Sequence, residues 1–344
     1  MSTVAQPLPF RGPPLPGEAL PSWLCRLSER YDDFRLEEFA AGAFGQKAPL
    51  ALMNDNWSRP RRALVETIAA RTALPVAEVE ATTFIDWVGV PKRRTRGHTG
   101  SLAENLVKLD DTIAVCPRCL AEDATPYVRK LWALSFMAAC PIHGSLLVLA
   151  CASCGSRRWR LKRVGDNLRR CLSCSKPLAD AGPAHPIALR CQADLLNGLR
   201  DGQTTCSGIG TIGWPAMVEA VREIGVIWGR APRTHARLVA SISVAAGLSV
   251  RPVDLTSSRT TQVQERHDAL LVLAWLLEDW PMRVVKVADL IEATKAHPAI
   301  VADGLKIRAA IGRMPWPFAK DLIARAAEWG KRPVRRAPIN PWGR

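Results

Sequence analysis

The sequence has no long uncharged apolar run, and this absence excludes a protein that crosses a membrane by an ordinary helix. No stretch of the 344 residues approaches the roughly 18 to 20 apolar residues that such a helix needs. The first residues also lack a basic segment followed by an apolar core, the pattern of a secretory signal peptide. We therefore expect a cytoplasmic protein with no membrane contact.

Long β-branched runs with alternating polarity are also missing, so the sequence predicts little sheet. Helical spacing of apolar residues instead marks the C-terminal half of the chain. The predicted helices there are 192–199, 217–228, 235–246, 263–277, 284–294 and 318–329. An apolar fraction of 48% and the length of the chain allow two or three domains with cores of their own.

Acidic residues are too few to balance the basic ones. The chain has 47 Lys and Arg against 32 Asp and Glu, which gives a net charge of +15 and favours a polyanionic partner. The predicted nucleic-acid-binding residues form two groups, Lys92, Arg93, Arg94 and Arg96, and Arg157, Arg158, Arg160, Lys162, Arg163, Arg169 and Arg170. A basic C-terminal tail adds to them, and all three runs indicate binding to a phosphate backbone.

Against these absences stand four pairs of metal ligands, each separated by two residues. They are Cys116 and Cys119, Cys140 and His143, Cys151 and Cys154, and Cys171 and Cys174. Two such ligands can turn toward one ion from a tight knuckle, so two knuckles complete a tetrahedral zinc site. Cys25, Cys191 and Cys206 lie outside these sequence pairs and are interpreted as core or surface thiols.

Taken in chain order, the four pairs predict two zinc ions with four protein ligands each. A catalytic zinc keeps one position open for water, whereas these sites are filled by protein, so we interpret both ions as structural. Two alternatives stay open at this point. The first and third pairs could share one ion, or the cysteines could be buried thiols or disulfide partners, although a reducing compartment favours metal.

The N-terminal region predicts short helices after an extended, proline-rich lead. A stripe of apolar residues between Leu20 and Tyr31 predicts the first helix, with Ser22 available as its cap, and a second follows Asp33. Residues 61–82 have the pattern of a helix-turn-helix. Its second helix carries Glu78 and Glu80 and no basic residue, so a packed helical unit is preferred over one that reads DNA.

The fold class predicted from these patterns is mainly α with two small zinc-ribbon-like modules. A helical domain resembling a helix-turn-helix occupies residues 1–110, tandem zinc fingers occupy 111–182, and a helical domain with a basic tail occupies 183–344.

An enzymatic function, as a nuclease or a transposase, is less favoured than a non-catalytic one. The aspartate pairs 32–33 and 110–111 could hold catalytic metals, but paired aspartates are common in turns and no third carboxylate is placed beside them.

Several motifs together resemble one protein family. They are PGEAL at 16–20, SWL at 22–24, RL at 26–27, CPRCL at 116–120, Tyr127, Arg129, Trp132, CPIHG at 140–144, Leu146, CASCG at 151–155 and CLSC at 171–174. In this order they resemble the TniQ family of transposition target-selection proteins. The likeness covers about residues 14–180 and weakens beyond residue 190.

The resemblance implies a non-catalytic adaptor in DNA transposition, in a bacterial cytoplasm and associated with the nucleoid. Such an adaptor links target DNA, or an RNA-guided complex bound to it, to an AAA+ ATPase regulator that recruits the transposase. A CRISPR effector complex and a second copy of the chain are further candidate partners. The alternative function is a zinc-finger transcriptional regulator that binds DNA without such partners.

Overall fold

A computed structural model describes residues 6–31, 36–49, 57–89, 113–157, 168–206, 209–229, 263–280, 282–283 and 318, with no side chains for 222–229. The basic run 92–96, residues 158–163 of the second basic group and both aspartate pairs lie outside the described residues. The predicted helices 235–246, 284–294 and, apart from Phe318, 318–329 also lie outside them, as does the C-terminal tail.

The described part of the chain is mainly helical, which confirms the predicted fold class. Its eight α-helices are α1 (Leu20–Ser28), α2 (Leu36–Phe44), α3 (Arg62–Thr72), α4 (Val76–Ala81), α5 (Pro117–Glu122), α6 (Pro186–Asp201), α7 (Trp214–Gly229) and α8 (Val263–Glu278). Short 3-10 turns lie at Glu29–Tyr31 and Lys130–Ala133. None of these described helices is long and apolar enough to cross a membrane.

Backbone contacts divide the chain into two compact units. The first comprises Met1–Gly97, Asn105–Gly202 and Thr260–His267, and the second comprises His98–Glu104, Gln203–Arg259 and Asp268–Arg344. Both cysteine-rich regions belong to the first unit. The ligand pairs and the composition predict domain boundaries at 110 and 182, and these boundaries stay a prediction.

Helix α1 begins where Pro21 fits the first turn, since a proline there loses no helical hydrogen bond. Trp23, Leu24 and Leu27 are buried along its apolar stripe, as the spacing predicts. The suggested capping role of Ser22 is wrong, because the N-cap is Ala19 and makes no side-chain cap. The Ser22 hydroxyl instead donates to Glu18 and accepts from the backbone N–H of Val128.

Helices α3 and α4 form the predicted helix-turn-helix. Ala73 ends α3 in the left-handed region, at φ 55°, and its N–H bonds the carbonyl groups of Ala69 and Ala70. Pro75 then precedes α4, where its fixed φ suits the start of a helix. Val65, Ile68 and Val79 are buried between the two helices and their neighbours, so this segment is a packed unit.

The extended lead, residues 6–17, lies against helices and against the segment that follows the first cysteine pair. The indole N–H of Trp23 donates to the Gly12 carbonyl, and the Tyr127 hydroxyl donates to the Pro16 carbonyl. The backbone N–H of Lys130 donates to the Gly17 carbonyl, and that of Ala19 to the Val128 carbonyl. The lead therefore ties α1 to residues 127–130.

Helix α6 packs on the cysteine-rich region through one buried amide. The side-chain oxygen of Gln192 accepts from the backbone N–H groups of Ala138 and Ala139, and its NH2 group donates to the Ala139 carbonyl. These three hydrogen bonds satisfy the buried side-chain amide of Gln192. At the other end of α6, the N–H of Gly89 bonds the Leu199 carbonyl.

The second unit contains a β-hairpin that the sequence analysis missed. Strands β1 (Gln203–Cys206) and β2 (Gly210–Gly213) pair antiparallel, with Gln203 opposite Gly213. Each strand has only four residues, too few to show a clear alternation of polar and apolar side chains. Thr204 and Cys206 point inward, and Cys206 lies 4.0 Å from the sulfur of Met217 on α7. The described part of the chain after residue 183 is thus helical with one short hairpin.

Candidate metal centres

The first ligand pair lies at the start of a helix. Cys116 is the N-cap of α5 and Pro117 occupies its first turn, so the Cys116 sulfur can accept the N–H of Cys119 at 3.5 Å. This geometry turns both thiols of a Cys-x-x-Cys segment to the same side. Thiolate capping of a helix start follows the same rule as other N-cap acceptors.

The other three pairs share one turn. In each, the residue after the second ligand bonds back to the carbonyl of the first ligand, over 2.8 Å in Gly144 and Gly155 and 2.7 Å in Ser175. All three residues have positive φ, at 62°, 69° and 58°. Glycine adopts this conformation at little cost, and Ser175 occupies it despite its side chain. These three pairs therefore have the same backbone conformation.

The first cluster brings Cys116, Cys119, Cys140 and His143 together, with one ligand atom from each within 4.8 Å of the others. The Cys119 and Cys140 sulfurs are 3.5 Å apart, and Nδ1 of His143 lies 3.4 Å from the Cys116 sulfur and 3.3 Å from that of Cys119. A tetrahedral zinc with Zn–S bonds near 2.3 Å separates its sulfurs by about 3.8 Å. The donor set and spacing therefore fit such an ion.

A carboxylate outside the cluster fixes the imidazole. Nε2 of His143 lies 2.8 Å from a carboxylate oxygen of Glu122, at the end of α5. An imidazole that donates its Nε2–H to Glu122 leaves the Nδ1 lone pair facing the three thiols, as metal-bound histidines commonly do. Burial lowers the pKa of His143, but hydrogen bonds to Glu122 and Cys116 outweigh it, so the pKa is raised.

The second cluster brings Cys151, Cys154, Cys171 and Cys174 within the same 4.8 Å limit. The Cys151 and Cys174 sulfurs are 3.7 Å apart, and those of Cys154 and Cys171 are 3.5 Å apart. These distances also fit a tetrahedral ion. The structure thus groups the four pairs in chain order, and the first and third pairs lie in different clusters.

Crowding of the thiols shifts their pKa values in opposite directions. Hydrogen bonds from Cys119 and Cys140 lower the pKa of Cys116, whereas the bond to Cys116 raises that of Cys119. In the second cluster, burial raises the pKa of Cys171, but backbone N–H groups and neighbouring thiols outweigh it and lower the pKa to about 6. Four donors this close ionise together only beside a cation, so metal binding releases protons and weakens in acid.

Arginines near the clusters have different surroundings. Arg157 and Arg170 are exposed beside the second cluster, where Arg170 donates to the Ser175 carbonyl. Arg169 is only partly exposed, and its guanidinium donates to the carbonyl groups of Leu120 and Asp123. The roles of all three in nucleic-acid binding stay predictions.

Sequence reasoning missed the residues that support the ligands. Glu122 follows Cys119 by three residues on a helix, which places it on the same face, and that spacing could have identified it. Asp123 accepts both arms of the Arg129 guanidinium, at 2.9 and 2.8 Å, while Arg129 lies over the rings of Tyr127 and Trp132. No sequence pattern marked this second contact, because it depends on how the chain folds back after α5.

A comparison with known protein families identifies a domain in this chain. The family model described as TniQ matches residues 9–147, which include α1 to α5 and the whole first cluster. The TniQ assignment made from the motifs is confirmed for residues 9–147, which form a TniQ domain, while the motifs at 151–155 and 171–174 lie outside the match. Such a domain implies a transposition-associated role in target selection. No curated protein matches the chain.

Proposed function

We propose that this chain, which carries a TniQ domain over residues 9–147, is a non-catalytic target-selection adaptor in DNA transposition. It links target DNA, or an RNA-guided complex on that DNA, to an AAA+ ATPase regulator and through it to the transposase. The observation that carries the proposal is the match itself, together with a first metal cluster that is part of the matched domain.

The metal in both clusters is zinc in this proposal. Thiolate and imidazole ligands at tetrahedral spacing suit zinc, and four protein ligands leave no position for a catalytic water. When bound, each ion supplies folding free energy and no chemistry. The ligands are Cys116, Cys119, Cys140 and His143 for the first ion, and Cys151, Cys154, Cys171 and Cys174 for the second.

The second cluster is the proposed contact for the DNA backbone. Cys154, Ser156, Arg157, Leu172 and Ser173 line an open groove there, and Ser156 and Ser173 place their hydroxyl oxygens 2.8 Å apart at its edge. Hydroxyl and guanidinium groups are typical donors to phosphate oxygens. Together with the net charge of +15, this surface favours electrostatic binding without base reading.

The adaptor role is tested with the AAA+ ATPase and transposase encoded by the same mobile element. Full-length zinc-loaded chain, ATPase and a fluorescent target duplex are mixed, and the ATPase retained on DNA is measured with and without the chain. We expect retention to require the chain. Retention that is equal without it would reject the adaptor role, and tight binding to one short sequence with no effect on the ATPase would favour the transcriptional regulator.

The DNA contact is tested by neutralising Arg157, Arg158, Arg160 and Arg163 to alanine. Each lost phosphate contact reduces the slope of log affinity against log salt by about 1 for a duplex, so binding weakens equally on unrelated sequences. The matched control removes the same number of charges at four other exposed positions, Arg61, Arg62, Arg190 and Arg200. A loss confined to one DNA sequence would contradict a backbone contact.

A further inference from the structure

Arg169 joins the two cysteine clusters. It lies two residues before Cys171, and its backbone carbonyl accepts the N–H of Leu178 at 3.2 Å. Its side chain reaches away from the second cluster, where Nε donates to the Leu120 carbonyl at 2.9 Å and the terminal nitrogen donates to the Asp123 carbonyl at 2.6 Å. The backbone of Arg169 therefore belongs to the segment of the second cluster, while its guanidinium group contacts the helix of the first cluster.

The two carbonyl groups lie at the end of the helix that holds the first cluster. Helix α5 carries Cys119, and Asp123 is its C-cap. The last carbonyls of a helix have no partner within it, and a basic side chain that reaches them stabilises that end. The C-cap also receives Arg129 on its carboxylate, so the end of α5 is held by two guanidinium groups. Holding it keeps the Cys119 thiol in place.

The backbone of Arg169, in contrast, depends on the second cluster. That cluster has a very small apolar core, in which Cys151 and Cys171 are buried and Cys174 and Leu178 pack against them. The adjacent Arg170 pairs with Pro177 in a single bridge. So little apolar burial cannot order the segment without its ion. Loss of the second ion should therefore release the Arg169 side chain from α5.

We propose that the two metal sites are thermodynamically coupled through Arg169, so that an ion in the second cluster strengthens metal binding in the first. Arg169 acts in this coupling as a positioning residue for the first site rather than as a phosphate contact. The inference rests on the proposed metal binding at both clusters. Because coupling is reciprocal, the first ion strengthens binding of the second by the same factor.

The test uses Co²⁺ in place of zinc, in the full-length chain. The two sites can be followed separately, because a ligand set of three thiolates and an imidazole gives Co²⁺ a different absorption spectrum from four thiolates. EDTA is added until the signal of the first site is lost. We compare the parent chain, a chain with Cys154→Ser and Cys174→Ser that empties the second site, Arg169→Ala, and the combination of all three changes.

We expect emptying the second site to weaken metal binding at the first by about tenfold, within the usual range of coupling between sites. Arg169→Ala should weaken it to a similar degree, and the combination should be no weaker than either change alone. Arg169→Lys keeps the charge but cannot reach both carbonyls, so it should also uncouple the sites.

The matched control is Arg118→Ala, which removes one positive charge beside the first cluster from an exposed position between Cys116 and Cys119. It should change the affinity of the first site less than twofold. Equal losses of first-site affinity in Arg118→Ala and Arg169→Ala would overturn the coupling through Arg169. It would also be overturned if the combined variant lost first-site affinity by the product of the factors for Arg169→Ala and for the emptied second site. A parent chain that shows neither Co²⁺ spectrum would reject the metal sites themselves. If both spectra are present and the affinity of the first site does not change when the second site is emptied, only the coupling is rejected.

Discussion

The two cysteine clusters use similar knuckles but lie in very different surroundings. In the first, all three cysteines are buried, and the adjoining segment packs against α1, the lead and α6. In the second, Cys154 is exposed, and the small apolar core consists mainly of the ligands themselves. The same local motif thus serves once as the centre of a domain and once as a surface module.

This difference indicates that the two clusters have different roles. The first cluster fixes the geometry of the TniQ domain, because residues 127–130 follow its first ligand pair and bind the lead and α1. The second cluster contributes little to that core and presents Arg157 and Arg170 to solvent. In the proposed adaptor, the first cluster maintains the protein scaffold and the second meets nucleic acid.

The largest effect should come from removing one ligand of each cluster. Cys119→Ala should cost more than about 5 kcal/mol of unfolding free energy, because the domain core loses its ion. Cys154→Ala should cost the rest of the first unit only about 1 to 2 kcal/mol, the order of one coupling interaction. Thermal unfolding of the two variants measures the contrast, and elemental analysis should find one ion per chain in Cys154→Ala. Equal destabilisation by both would contradict the comparison.

A smaller effect should come from the buried carboxylate that joins the lead to α1. Glu18 is fully buried, pairs with Arg26 at 2.8 Å and accepts from the Ser22 hydroxyl. Breaking a buried pair leaves an uncompensated charge, so Glu18→Gln should cost about 3 kcal/mol. The control Glu66→Gln removes an exposed pair with Arg62 on α3 and should cost less than about 0.5 kcal/mol. Chemical denaturation measures the loss of unfolding free energy in both variants. Similar losses would show that the pair of Glu18 with Arg26 does not stabilise the core.

The smallest effect is a dependence on pH from Lys130. Its ammonium group donates to the carbonyls of Ala81 and Thr83 and lies over the rings of Phe84 and Trp87. Burial lowers the pKa of Lys130 to about 8, and the charge of Asp86 offsets only part of this. Between pH 8 and the ordinary value near 10.5, the unfolded chain holds a proton that the folded chain has released, so stability rises with pH.

We expect the free energy of unfolding to rise by about 1 to 2 kcal/mol between pH 8 and pH 10 because of Lys130. The measurement compares denaturation of the zinc-loaded parent with that of Lys130→Met, which keeps an apolar side chain near the rings but cannot titrate. Subtracting the two curves removes the contribution of the cysteines. A difference that is flat, or that falls as the pH rises, would show that Lys130 stays charged in the folded chain.

Prediction from sequence succeeded where the signal was local. The apolar stripe of α1, the break at Ala73 and Pro75 and each single TniQ motif depend on neighbouring residues. The hairpin at 203–213 was missed because its strands are too short to show a period. The hydrogen-bonding roles of Glu18, Gln192 and Arg169 could not be predicted. Gln192 and Arg169 bond segments more than 40 residues away, and Glu18 bonds Ser22, which bonds the distant Val128. The spacing of residues along the chain does not indicate such contacts.

The most direct test of this account is amide hydrogen exchange of α1, measured in the parent chain, in Cys119→Ala and in Cys154→Ala. Helix α1 contains none of the proposed metal ligands, yet Ser22 and Ala19 bond Val128 beside the first cluster. We predict that protection of residues 20–28 is lost in Cys119→Ala and kept in Cys154→Ala. Equal protection in all three proteins would contradict the claim that the first metal cluster maintains the TniQ domain.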